Sequence, residues 1–502
     1  MILQQNSIEM KNNQKKNYLT VLESFSNKEW DLIVQLKRFF ECVEGDTEFR
    51  KALNSKTIDS EQYKKYLQDI GVHIDLKDIA PFWENPEAVS AYLAASHENR
   101  EIPKKTADLI SRYPTMQLWF KFIKIKNTIY KEICTNRSEI PLNPEFNSWR
   151  MRRIASAESE LGAFNHHIDH PTLAVELNDG CGVGCWFCSF SAEKLKPEGT
   201  LDYNKNKSYF REVIQTLTDI LGKGPASLAL LYYATEPHDN PHYINFMEDF
   251  EEITGAPVCT STAVGSDEKW IRDLISFYRP RNQPWPRLSI LSTTMLHKVH
   301  AQFTPAELRD VNMIMQMRDS EREKVSGGKI LDQKHDLRKT ENKNYLENIV
   351  PQGSIACVSG FLINLIRKDI KLVSPCYTCE KWPFGYRVFD EATFNSAEDF
   401  GAVISSMISR NMPTKPSPSM PFRLRDDLVL KPEKDGFDLV SPNQIHHFKE
   451  NEVFPPLGKI LAEDNLTYEQ VLDKLINEHQ QNPFIASAAL RNMFDQGFLD
   501  EV

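Results

Sequence analysis

No run of apolar residues in this 502-residue chain reaches the roughly 18 needed to cross a bilayer, so no ordinary membrane-spanning helix is expected. The longest such stretch, GSIACVSGFLINLI, is too short and reads as a buried strand running into a helix. The amino-terminal MILQQNSIEMKNNQKKNYL lacks the apolar centre of a secretory signal, so a cytoplasmic location is expected. A disulfide framework is missing as well. Nine cysteines, an odd number spread unevenly over a long chain, point to metal or redox chemistry instead. Positive charge is not in excess: 60 Lys and Arg face 70 Asp and Glu, for a net charge of −10. That argues against a broad nucleic-acid-binding face while leaving room for a local basic patch, and neither a nucleic-acid nor a membrane partner is expected. Long internal repeats are absent too. What remains, 41% hydrophobic and 26% charged, is the composition of a soluble globular protein, and the length calls for two to four domains.

Residues 1–164 read as a helical region. DLIVQLKRFFECVEGD places Leu32, Leu36, Phe39, Phe40 and Val43 on one face at spacings of three and four. ADLISRYPTMQLWFKFIKIKNTIYKEI is a second helical stretch, interrupted at Pro114. Residues 165–411 change texture: TLAVEL, SLALLYYAT, PVCTSTAV and RLSILSTT are short apolar strands, each followed by a helical pattern. That alternation predicts an α/β fold with a parallel sheet, open or closed into a barrel, with chemistry at the carboxyl ends of the strands. The charged segment 320–344 reads as a solvated loop or insertion, and the proline-rich 412–421 as a linker. Residues 419–502 hold two predicted strands around Asp435-Gly436, then helices, one opened by a capping box of Thr467 and Gln470. This order suggests a winged-helix-like module.

Three cysteines crowd into VELNDGCGVGCWFCSFSAE, at Cys181, Cys185 and Cys188. A structural zinc site usually takes four protein ligands as two separated pairs, whereas an iron–sulfur cubane can be held by three cysteines with one iron left open. Gly180, Gly182 and Gly184 permit unusual backbone angles around them. This C-x3-C-x2-C, with the aromatic Phe187 before the last cysteine, resembles the radical S-adenosylmethionine (SAM) superfamily. The segment YYATEPHDNP is similar to that superfamily's Gly-Gly-Glu-Pro segment, with Ala234 and Thr235 in place of the glycines and Glu236 and Pro237 matching. The resemblance implies a partial (β/α)6 TIM-like barrel and a [4Fe-4S] cluster on Cys181, Cys185 and Cys188. It also implies SAM bound with help from Phe187, Glu236 and Ser292. Cleavage of SAM would then give a 5′-deoxyadenosyl radical. The competing reading is a zinc loop completed by a distant ligand such as His166, His167 or His170, although histidines ahead of a strand are more often surface or packing residues.

Two further features narrow the expectation. LVSPCYTCEKWPFGYRVF contributes Cys376 and Cys379, with Cys357 upstream in SIACVSGF. The carboxy-terminal module looks like the precursor-peptide-recognition element related to the small quinone-cofactor chaperone, which binds a leader peptide as an added strand. Together these resemble the radical SAM peptide epimerases of proteusin and polytheonamide-type maturation, which convert L- to D-residues in a ribosomally made precursor. Such an enzyme needs a hydrogen-atom donor opposite SAM. A single carboxy-terminal cysteine plays that part in the family, with Cys376 the first candidate here, Cys379 the second and Cys357 the third. The implied partners are the precursor peptide with its leader and a flavodoxin- or ferredoxin-type electron donor. Two alternatives stay open. In one, these three cysteines hold an auxiliary cluster in a maturase that makes thioether or carbon–carbon cross-links, although no cysteine follows Cys379. In the other, the chain is a zinc-binding winged-helix adaptor. Cys42 and Cys134 fall in helical patterns and read as core residues. Residues 36–85 are similar to the leaders of nitrogen-fixation-type precursors, and read equally well as a helical bundle capping the barrel.

Overall fold

The computed structural model describes residues 24–317 and 353–502, apart from 56, 59, 98–101, 139–141, 282–285 and 464, together with 320, 325 and 327–331. Much of the charged segment 320–344 lies outside the described residues, as does the side chain of Cys134. No helix among the described residues is long and apolar enough to cross a membrane. The chain forms two compact units, one of Met1–Asn136 with Cys259–Arg322 and one of Arg137–Val258 with Glu323–Val502. The parallel strands of the middle region are β1 (Leu173–Glu176), β2 (Ala229–Leu230), β3 (Ser261–Thr262), β4 (Arg287–Ile290) and β5 (Asn312–Met315). They are followed by β6 (Gly360–Asn364), β7 (Asp369–Pro375) and β8 (Tyr386–Thr393), then by β9 (Val429–Glu433), β10 (Gly436–Val440) and β11 (Ile445–Phe448).

In the first unit, Ser26 opens the helix Asn27–Gly45 with a capping box completed by Glu29. Leu36 and Phe39 are fully buried there against Phe49, Ile79 and Met116, while Leu32, Phe40 and Val43 flank them partly exposed. The apolar face read from the sequence is therefore the one that packs. Cys42 belongs to the same core. Its thiol lies 3.6 Å from the Tyr66 hydroxyl and 3.7 Å from His300 Nδ1, and burial pushes it up to about 12. Pro114 separates the helix Lys104–Ile110 from Pro114–Ser138, standing as the first residue of the second, where its missing N–H leaves no helical bond unmade. Strands β3, β4 and β5 form a parallel sheet in this unit. Arg38 ties the amino-terminal helix to the end of the helix Thr293–Gln302, which follows β4, by donating to the backbone carbonyls of His300 and Phe303.

The second unit holds a five-stranded sheet of order β2-β1-β6-β7-β8. Strand β1 runs parallel to β2 and β6, whereas β7 and β8 are antiparallel additions. The strands expected in one parallel sheet are thus found in two, with β1, β2 and β6 here and β3, β4 and β5 in the other unit.

Within the same unit, β9, β10 and β11 make an antiparallel sheet. One strand more is present than the sequence indicates: β11, the polar IHHF, pairs along β10. Phe437, Leu439 and Phe448 of this sheet share a core with Leu457, Leu490 and Phe494 of the following helices. The capping box of Thr467 and Gln470 is formed.

This carboxy-terminal part is seated on the helix Pro144–Leu161 by buried polar groups. Ser156 Oγ donates to the Gly497 carbonyl at 2.8 Å, Ser441 Oγ donates to the Ser159 carbonyl at 2.5 Å, and Glu501 accepts from both Arg152 and Arg153. All three charged side chains are buried. Glu501→Ala would leave two guanidinium groups buried beside each other with no counter-charge. Breaking such a network from one side costs about 3–5 kcal/mol. Urea unfolding of Glu501→Ala should show a loss of that size, and a loss below about 1 kcal/mol would mean the arginines find water instead.

Candidate metal centre

Strand β1 ends at Glu176, and the chain then folds back on itself before the helix Tyr203–Leu221. Leu201 N–H donates to the Leu177 carbonyl at 2.8 Å, Asp179 N–H to Gly199 at 2.6 Å and Lys196 N–H to Asp179 at 3.1 Å. Cys181 is pinned from both sides: its N–H donates to Glu193 at 2.9 Å and its carbonyl accepts from Leu195 at 3.2 Å. Gly180 makes this closure possible. Its φ is +102°, and a Cβ there would sit 2.6 Å from the Lys194 carbonyl oxygen and 2.8 Å from Leu195 Cα. Gly182 is held by Asp239, whose carboxylate accepts its N–H at 2.6 Å. A turn brings Cys188 N–H to the Cys185 carbonyl at 3.3 Å, and Cys188 Sγ accepts from Ala192 N–H at 3.4 Å.

The three thiols share one electrostatic neighbourhood. Burial pushes Cys185 up to about 12, and Cys181, Cys188 and Glu236 add to the rise. Burial also raises Cys181, with Glu236 and Asp239 contributing, while the backbone N–H groups of Val183 and Gly184 oppose it. Thiols that hold their protons this tightly release them to a cation that binds them. Among the described residues, no group of three or more His, Cys, Asp or Glu side chains is placed to hold a metal ion. A polynuclear cluster takes its thiolates further apart than one ion does. Three thiols on one loop, each sulfur facing a backbone N–H, suit such a cluster.

Glu236 is 4% exposed and lies close enough to act on Cys181 and Cys185. It also opens the short turn Pro237–Asp239 by accepting from His238 N–H at 3.1 Å. Its carbonyl accepts from Asn178 Nδ2 at 2.9 Å. A second carboxylate, which the sequence did not flag, holds this segment from below. Glu176 accepts from Ala234 N–H at 2.7 Å and from Asn364 Nδ2 at 2.9 Å, and Asn364 Nδ2 also donates to the Asn178 carbonyl at 2.9 Å. Burial raises the Glu176 carboxyl, and the bonds from Asn364 and Ala234 hold it back. Asn178, Glu176, Asp239 and Asn364 are all polar residues at the ends of apolar strands or just beyond them, which is the one sequence signal they carry.

The remaining candidates separate. Phe187 is half-buried and packs edge-on against Trp186, with ring centroids 5.5 Å apart. Ser292 belongs to the other unit, where its hydroxyl caps the helix Thr293–Gln302 by accepting from Met295 N–H at 3.1 Å. Cys376 is fully buried at the end of β7, its N–H donating to the Gly385 carbonyl at 2.9 Å, and burial pushes its thiol well above the ordinary range. Cys379 is exposed. Cys357 is half-buried beside Tyr233. Burial drives the Tyr233 hydroxyl far up, with the Cys357 thiol and Tyr386 adding to it. Tyr233 in turn stacks on Phe190, two residues past Cys188, with centroids 4.2 Å apart.

The histidines ahead of β1 serve packing and surface. His166 and His167 are exposed, and His166 pairs with Glu158 at 3.2 Å. His170 is buried between Ser359 Oγ at 2.8 Å and Asn165 Oδ1 at 2.9 Å. Burial, with Arg150 adding to it, lowers its value from 6.5 to about 3. Below pH 6.5 the unfolded chain therefore takes up a proton that the folded chain refuses. The stability due to a neutral His170 is complete above 6.5 and is lost as pH falls toward 3, by about 1.4 kcal/mol per unit. Denaturant titrations between about pH 7 and about pH 5 should show a shallower loss in His170→Asn than in the unaltered protein.

The fold and loop define an α/β protein with a three-cysteine site at the end of its first strand. A protein 31% identical over 443 residues, spanning 87% of this chain and 81% of its own length, is the uncharacterized protein y4wI of Sinorhizobium fredii (strain NBRC 101917 / NGR234), and the chain belongs to the same family. No family model matches. A crystal structure of BtrN in complex with AdoMet and 2-DOIA aligns over 48% of this chain and 82% of that one, at 15% identity and a TM-score of 0.30, a likeness too slight to carry an argument.

Proposed function

We propose that this protein is a radical SAM enzyme converting L- to D-residues in a ribosomally made precursor peptide. The observation that carries the reading is the loop after β1 itself: Cys181, Cys185 and Cys188, with Cys185 feeling both of the other thiols and the buried Glu236, which follows β2, acting on Cys181 and Cys185. These cysteines would hold a [4Fe-4S] cluster, and Glu236 would accept from the amino group of SAM. When bound, cluster and SAM together supply a 5′-deoxyadenosyl radical able to take a hydrogen atom from a peptide Cα. We read residues 165–411 as the superfamily's partial (β/α)6 barrel with a cysteine-containing extension. Residues 419–502 are read as the leader-binding module, whose outer strands β9 and β11 are where an extended peptide would add. A flavodoxin- or ferredoxin-type donor would supply the electron that cleaves SAM and, once the thiol has given its hydrogen atom to the Cα, the second electron that with a proton returns the thiyl radical to the thiol.

Returning a hydrogen atom to the other face of the Cα requires a thiol that substrate can reach. Of the three candidates, Cys357 is favoured by its partial exposure and by the aromatic path Tyr233–Phe190 that leads to the cysteine loop. Cys376 is sealed in the interior and Cys379 lies out in solvent. The test is co-expression with a candidate precursor peptide in heavy water under anaerobic conditions. Deuterium at peptide Cα positions, with 5′-deoxyadenosine formed, supports the reading. Cross-linked peptide and about eight irons per chain would favour the auxiliary-cluster maturase, and a colourless protein with one zinc the adaptor.

A further inference from the structure

Asn178 is 2% exposed, between the end of β1 and Cys181. Its Nδ2 donates to the Glu236 carbonyl at 2.9 Å, and that partner can only accept, so the orientation of the amide is fixed. Its backbone is held too, with the carbonyl accepting from Asn364 and the residue bridged to Thr200. The side-chain Oδ1 is left buried with no hydrogen-bond partner among the described residues. A buried acceptor without a donor is costly, and native proteins keep one mostly where something else supplies the donor. The neighbouring side chains are acceptors as well. Glu236 and Asp239 both act on Cys181, and neither can donate when ionised. These two carboxylates and the unpaired Oδ1 are acceptors, which suit a group carrying N–H.

We propose that Asn178 is a recognition residue for the amino group of SAM, its Oδ1 accepting one N–H while Glu236 accepts another. The inference rests on the radical SAM reading and adds a residue to it. An amino group that gives its lone pair to a metal keeps two N–H bonds, and two fixed acceptors complete it. Glu176 and Asn364 act one layer further out, since they hold Ala234 and the Asn178 backbone in place.

The experiment is equilibrium dialysis on the full-length protein, reconstituted anaerobically, with two ligands. One is SAM. The other is 5′-methylthioadenosine, which keeps the nucleoside and sulfur but has neither amino nor carboxylate group. In Asn178→Ala, SAM affinity should fall about tenfold or more. Affinity for 5′-methylthioadenosine and iron per chain should stay as in the unaltered protein. Asn178→Ser, which retains a short hydroxyl, should lie between. Unchanged SAM affinity, an equal loss for both ligands, or loss of iron would overturn the proposal for Asn178, the last two marking a structural role. If the unaltered protein binds neither iron nor SAM, the radical SAM reading itself falls, and Asn178 with it.

Discussion

Cys185→Ala protein, reconstituted with iron and sulfide, is expected to stay colourless and to form no 5′-deoxyadenosine above the uncatalysed background. Cys185 is the informative position because its thiol feels both Cys181 and Cys188. Three thiolates are the fewest that fix a cubane with one open iron, so removing any one should abolish loading rather than weaken it. Two companion variants separate this from general damage. Gly180→Ala keeps all three thiols, yet its new Cβ would meet the Lys194 carbonyl oxygen at 2.6 Å on a φ of +102°. The segment Glu193–Leu195 that pins Cys181 must then move, and iron should fall to about a tenth or less if the loop's closure positions the sulfurs. Cys42→Ala removes a cysteine from the packed core of the other unit and should lose about 1–2 kcal/mol of stability with iron unchanged. The measurements are iron analysis, absorbance near about 400 nm and chromatography of the nucleoside product. Full iron in Cys185→Ala would remove the loop from the role on which the function is built.

Why the loop was legible and its surroundings were not follows from where each kind of information is stored. Three thiols at short spacing, interleaved with glycine and placed after an apolar strand, are local, and so is Glu236 before a proline. The partnership of Glu176 with Asn364 is not local. It exists because β1 and β6 pair in parallel with Glu176 opposite Asn364, and two residues 188 positions apart carry no local sign of that register. Asn178 gains its interest from an equally distant partner, the Glu236 carbonyl 58 positions on that fixes its amide. The division of the parallel strands between two sheets was hidden for a related reason: apolar runs announce strands and say nothing of which strands they pair with. Strand β11 was missed because IHHF is short, with two histidines between its apolar ends, and only one of its four residues is buried. Local signals did better. The helix face of Leu36 and Phe39, both capping elements of Thr467 and Gln470, and the break at Pro114 all describe groups within one or two turns of each other.

Cys357→Ala is expected to separate two halves of the chemistry that Cys185→Ala removes together. The thiol's place is after hydrogen abstraction. Iron content and SAM binding should be unaltered, and 5′-deoxyadenosine should still form when peptide is present. D-residues should drop to about 1% or less of the unaltered protein's yield, because among the three candidate donors Cys357 alone combines partial exposure with a place beside Tyr233. A carbon radical left without its donor would take hydrogen from elsewhere, returning the L-residue or giving side products. Cys376→Ala offers the contrast. That thiol is fully buried near Arg387 and Glu160, so its loss should cost stability and leave D-residue formation in place. Chiral analysis of hydrolysed peptide, run beside nucleoside quantitation, reads both outcomes in one sample. Epimerisation that survives in Cys357→Ala and vanishes in Cys376→Ala would hand the donor role to Cys376. It would also require the segment after β7 to open, since substrate has no other route to a thiol with no exposed surface.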